Sequence, residues 1–175
     1  MDLRNTPCPL ALHPHRVLAS IAATCFGLIA FGVVLQAGAG IEPCPLCIFQ
    51  RYAFLVTGLL ASAGALHRGP YWVSRAWAGL VTLAALIGAG IAGRQTWLQH
   101  NPPEFPECGG DLAFMLDSVP LAQVLPMVFR GSGDCSKVDW TLLGFSIAEW
   151  ALACFVAIAL CALAVTADRY ASKAR

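Results

Sequence analysis

Residues 17–41, VLASIAATCFGLIAFGVVLQAGAGI, lie between Arg16 and Glu42 and contain no charged side chain. A bilayer core is crossed by about 20 mainly apolar helical residues, so this stretch predicts a membrane span over 17–39. It is too long and unbroken for a cleaved signal peptide, and no small-x-small site follows a short apolar core. Three further stretches have the same character. Residues 47–66 carry only Arg51, near one end; residues 76–98 carry only Arg94, near the exit; residues 142–167 carry only Glu149, in the second turn of a helix begun at Leu142. In the third stretch small residues recur four apart (Ala84 and Gly88, Ala89 and Gly93), which lets helix backbones approach closely in lipid. The expected fold is an all-α, four-helix transmembrane bundle forming one domain over residues 1–175.

Composition agrees. Of 175 residues, 58% are apolar and 12% charged, against about 45–50% and about 25% in globular proteins. A net charge of +1 without a basic stripe or cluster argues against a nucleic-acid partner. No internal repeat or low-complexity tract interrupts the chain.

Lysine and arginine asymmetry sets the expected orientation. With four spans, both tails and the loop 67–75 share a side that holds Arg4, Arg16, Arg68, Arg75, Arg169, Lys173 and Arg175. The opposite side holds Arg51, Arg94, Arg130 and Lys137. Both termini are therefore expected in the cytoplasm, with a short loop (40–46) and a long loop (99–141) outside. Within the long loop, residues 112–129 are apolar but include Asp117, Pro120 and Pro126. Two prolines break helix hydrogen bonds that lipid cannot replace, so this segment is expected to lie in the interface. A fifth span there would put Cys108 and Cys135 on opposite sides of the membrane.

That topology sorts the eight cysteines. Cys44, Cys47, Cys108 and Cys135 fall in the outer connections, where disulfides persist. Cys25, Cys154 and Cys161 fall within spans and read as small hydrophobes; Cys8 is a thiol of the N-terminal tail. Cys44-Pro45-Leu46-Cys47 opens a helix, whose unpaired N–H groups and partial positive charge favour thiolate over thiol. Arg51 lies one turn beyond Cys47 on the same face. A C-x-x-C there points to redox work, while a structural disulfide or a zinc site of four outer cysteines remains open. Glycines flank the other pair (Cys108-Gly109-Gly110 and Gly131-Ser132-Gly133-Asp134-Cys135), predicting mobile, accessible thiols. His100 falls just beyond span three.

The pattern resembles the DsbB-type disulfide bond formation proteins of bacterial inner membranes. The resemblance rests on Cys44-Pro45-Leu46-Cys47-Ile48-Phe49-Gln50-Arg51, on Gly131-Ser132-Gly133-Asp134-Cys135, and on Trp140, Leu143-Gly144-Phe145-Ser146 and Glu149-Trp150. With the order of short and long outer loops, it covers nearly the whole chain. It implies an enzyme, a protein-disulfide:quinone oxidoreductase. Such an enzyme reoxidises a DsbA-like periplasmic thioredoxin-fold oxidase and passes the electrons to membrane quinone, ubiquinone or menaquinone. The DsbA–DsbB–quinone circuit is the known means of keeping the bacterial periplasm oxidising. By position, Cys108 would form the mixed disulfide with the partner and Cys135 would communicate with Cys44. Cys47 would face the quinone, Arg51 would hold its oxygen, and His100 would stand nearby. No metal is implied.

A strong acceptor is also required on energetic grounds. An ordinary structural disulfide near −300 mV would oxidise a DsbA pair near −120 mV uphill by about 180 mV, roughly 8 kcal/mol. The competing reading is a non-enzymatic four-span membrane organiser with structural disulfides, of the tetraspanin kind. A quinone reductase of the vitamin K epoxide reductase type is disfavoured, because its C-x-x-C belongs on the last span.

Overall fold

The computed structural model describes residues 13–39, 44–67, 69–102, 133–138 and 140–167. Cys8, Cys108 and the apolar segment 112–129 lie outside the described residues.

Among the described residues, four helices are long and apolar enough to cross a membrane. They are α1 (Pro14–Ala39), α2 (Pro45–Leu66), α3 (Tyr71–His100) and α4 (Ile147–Ala167). A single 3-10 turn, Gly133–Ser136, and a two-stranded antiparallel hairpin, β1 (Thr141–Leu142) and β2 (Phe145–Ser146), precede α4. Neighbours in sequence are neighbours in space: α1 packs on α2, α2 on α3 and, most extensively, α3 on α4. α1 and α4 touch only sparsely. The bundle is therefore closed along three seams and looser along the fourth.

The seams explain why these apolar sequences form a defined bundle in lipid. On α3 the buried positions run Ala78, Val81, Ala85, Gly88, Ala92 and Gln95; on α4 they run Ala148, Ala151, Phe155, Ile158, Ala162 and Val165. Alternating steps of three and four are the spacing of helices that pack side by side. Most of these residues are small, so contact comes from close backbone approach. Large apolar side chains such as Leu59, Leu83, Ile87 and Leu160 are exposed, where lipid tails would meet them. Gly88 has a specific reason to lack a side chain. A Cβ there would collide with the Phe155 ring, which stacks on Phe54 of α2 at 3.8 Å between centroids and 12° between planes. Of the four small residues expected to mark the approach, Gly88 makes it. Ala84, Ala89 and Gly93 are only half-buried, on the flanks of the stripe.

The helix ends differ from the expected spans. α3 begins at Tyr71 and runs to His100, a length of about 45 Å at 1.5 Å per residue, well beyond a ~30 Å hydrocarbon core. α4 begins at Ile147 instead of Leu142. Leu143 and Gly144 have φ of 56° and 85°, positive at both central residues of a two-residue hairpin turn, so the chain reverses before the helix starts. Ser146 then caps α4: its Oγ accepts the Glu149 N–H at 3.3 Å, and Glu149 Oε2 accepts the Ser146 N–H at 2.7 Å. This reciprocal capping box puts Glu149 in the first turn of α4, not the second.

Candidate thiol–disulfide site

Antiparallel succession brings the end of α1, the start of α2, the end of α3 and the start of α4 to one end of the bundle. Cys44 is the N-cap of α2, with Pro45 in the first turn. Proline fits there because its missing N–H would have no helical partner. The Cys44 sulfur takes the role usually played by a serine or aspartate oxygen, accepting the Cys47 N–H at 3.3 Å. That capping bond turns the two side chains toward each other, and the sulfurs stand 2.8 Å apart as thiols, either able to donate.

Cys135, in the 3-10 turn, packs against the same pair. Its side chain is 1% exposed and lies with Leu46 of α2 and Leu98 of α3, with Cys44, Phe49 and Ile91 around them. Hydrogen bonds to Cys135 and to Cys47, followed by burial, hold the Cys44 thiol well above the ordinary thiol range. Three of the four outer cysteines thus form one cluster. The expectation that Cys135 is accessible does not hold. The side chain is sealed by apolar packing from α2 and α3.

Two residues that the sequence reading passed over complete the cluster. Gln95 of α3 donates from Nε2 to Cys47 Sγ at 3.0 Å and to Cys44 Sγ at 3.3 Å. Gln50 of α2 donates from Nε2 to Gln95 Oε1 at 2.6 Å. Both amides are buried, at 3% and 4% exposure. The signal was present: each is a polar residue in an apolar span, at a position in register with the buried stripe, and such residues mark function in membrane helices.

Arg51 is placed otherwise than a simple neighbour of Cys47. Its guanidinium reaches across to α1, donating from Nη1 to Gln36 Oε1 at 2.7 Å and from Nη2 to Gly32 O at 3.3 Å. It joins Cys44, Cys47 and Gln95 in the wall of a cavity of about 270 Å³ at the loose α1–α4 seam. The rest of the wall is mainly apolar and aromatic, including Phe31, Leu35, Phe54, Trp140 and Trp150. Phe31 and Trp140 meet edge to face at 6.3 Å, and Trp150 donates from its indole to Leu142 O at 3.1 Å. Cys154 also reaches this wall, whereas Cys25 is fully buried in the core and Cys161 is exposed on the outside of α4.

His100 is not among the residues that line the cavity. Its side chain is 64% exposed, with Nε2 3.7 Å from Glu149 Oε1 and Nδ1 2.9 Å from Thr96 O. The reason is helical: it lies five residues beyond Gln95, on another face of α3, and it ties the end of α3 to the cap of α4.

These features define a class: a multi-pass membrane protein with a buried thiol cluster beside an apolar, aromatic-walled cavity. Residues 14–165 match the family described as Disulfide bond formation protein DsbB, and the chain belongs to that family. Among similar proteins, the Disulfide bond formation protein B of Azoarcus sp. is 54% identical over 145 residues, 82% of this chain and 87% of its own. That of Aromatoleum aromaticum is 50% identical over 159 residues, 91% and 96% of the two chains. That of Paracidovorax citrulli is 48% identical over 147 residues, 84% and 83%.

Proposed function

We propose that this protein reoxidises a DsbA-like, thioredoxin-fold oxidase by thiol–disulfide exchange and delivers the electrons to membrane quinone, so sustaining disulfide formation in the periplasm. The single observation that carries the reading is the Cys44–Cys47 pair, in contact with Cys135 on one side and forming part of an apolar cavity wall on the other. A pair so situated can receive electrons from a protein thiol and meet a lipid-soluble acceptor.

The residues present fit a quinone. Aromatic and aliphatic walls suit a flat, apolar ring, and Arg51 is a permanent cation able to hold a ring oxygen. Phe31, Leu35, Trp140 and Trp150 would flank it, with the Cys44–Cys47 pair in the same wall. A bound quinone supplies a two-electron, two-proton acceptor, which thiol chemistry alone lacks. The chain's own residues then have distinct tasks. Arg51 is held by Gln36 and Gly32 O of α1, so it binds and orients. The apolar wall excludes water from the pair. Cys108 meets the soluble partner, and Cys135 relays between Cys108 and Cys44.

Under this reading the setting is the bacterial inner membrane, with both termini cytoplasmic and the thiol-bearing end of the bundle periplasmic, as the seven basic residues against four imply. The test is thiol trapping of Cys44, Cys47, Cys108 and Cys135 in the purified protein, before and after adding reduced partner, with and without quinone. The cysteines should be reduced by the partner and reoxidised only when quinone is present. Cysteines indifferent to both additions would indicate a non-enzymatic organiser.

A further inference from the structure

Gln95 lies on the two sulfurs in a way that capping and packing do not require. Its Nε2 points at Cys47 and Cys44 at 3.0 and 3.3 Å, and its carbonyl is engaged by Gln50 at 2.6 Å. A neutral thiol sulfur is a weak acceptor, so a buried amide whose NH₂ meets, among the described residues, the two sulfurs alone is poorly satisfied. It becomes well satisfied when one sulfur carries charge, because hydrogen bonds to ionised acceptors are roughly twice as strong. The two distances differ by little, so one amide serves either sulfur without moving.

We infer that Gln95 is a catalytic residue of the cysteine pair, an uncharged donor that stabilises thiolate on Cys47 as it forms, and that Gln50 is its positioning residue. The inference rests on the redox reading of the Cys44–Cys47 pair. When the thiolate of Cys135 attacks Cys44 of a Cys44–Cys47 disulfide, the Cys135–Cys44 bond forms and the Cys44–Cys47 bond breaks. The electron pair of the broken bond stays on the Cys47 sulfur as thiolate, to which the Gln95 N–H donates a hydrogen bond; no proton is transferred. Gln50 keeps the amide from turning, since a rotated Gln95 would set its NH₂ against the NH₂ of Gln50 and its carbonyl against the thiolate.

The experiment is pH-dependent alkylation of the reduced full-length protein in detergent, with Cys47 followed by peptide mass spectrometry. Alkylation needs neither partner nor quinone, so its outcome is independent of whether the proposed electron circuit operates. Gln95→Leu should slow Cys47 alkylation at neutral pH by roughly tenfold or more and move the profile to higher pH. Gln50→Leu should shift it in the same direction by less. Gln95→Glu keeps the length but sets a carboxylate at the sulfurs, and should slow the reaction further than Gln95→Leu. Should Gln95→Leu not assemble, judged by its thermal transition, Gln50→Leu and Gln95→Glu decide. Profiles that match the parent protein in assembled variants would overturn the assignment.

Discussion

Cys44 shows how far a residue's chemistry depends on neighbours remote in sequence. A C-x-x-C at a helix start announces reactive sulfur, yet Cys44 is held protonated by Cys135, more than eighty positions away, and by Cys47. The folded chain therefore keeps the proton on Cys44 as pH rises through the ordinary thiol range of about 8.5. Maleimide or iodoacetamide labelling of Cys44 should stay slow across that range and become ordinary only in denaturant. An ordinary midpoint in the folded protein would remove the Cys135 contact from the account. Arg51 carries a parallel lesson. Its spacing from Cys47 was legible, but its engagement with Gln36 and Gly32 was not, because nothing in the α2 sequence says which way a long side chain reaches. Arg51→Ala should impair quinone use, seen as a raised quinone KM, while the partner still reduces the outer cysteines. Arg51→Lys should also be impaired, since an ammonium does not reproduce the planar fork. Equal loss of both half-reactions would contradict the assignment.

Elements were easier to read than their ends. Four long charge-poor stretches predicted the four helices, because lipid admits backbone only when its hydrogen bonds are internal. The boundaries were harder, since they are set by specific caps: the Cys44 sulfur for α2, and the Ser146–Glu149 box behind a Leu143–Gly144 turn for α4. The apolar character of residues 142–146 hid that hairpin. That α3 approaches a neighbour closely was visible in its small residues, but which helix it meets and in what register depended on Phe155, an aromatic of α4. Gly88 is where this can be tested. Gly88→Val must displace the Phe155 ring and with it the Phe54 stack, and over-packing of this kind costs about 1–3 kcal/mol. The thermal transition of the detergent-solubilised protein should fall clearly, whereas Gly79→Val, at a site with open space around its Cβ position, should change little. Equal effects would mean that the seam is not packed as described.

At the scale of the whole molecule, up-and-down threading gathers Cys44, Cys47 and Cys135 at one end, beside a cavity that exists because α1 and α4 do not close on each other. The cavity was beyond the sequence, since a loose seam is a property of the assembled helices. The same threading requires one sidedness. Reporter fusions at residues 110 and 133 should both report the periplasm, and a cytoplasmic signal from either would reverse the proposed orientation. Within that frame Cys135→Ser should accumulate a covalent complex through Cys108 with the oxidase, because exchange stalls without its resolving thiol. Cys108→Ser should give none. Whether the Cys44–Cys47 pair links a protein dithiol to quinone can be read from one stoichiometry. Purified protein is mixed with reduced DsbA-like partner and a soluble quinone, and quinone consumed is counted against partner disulfide formed. One quinone should be consumed per disulfide formed, with turnover abolished by Cys44→Ser or Cys47→Ser. No quinone consumption by the parent protein, or undiminished turnover in either variant, would contradict it.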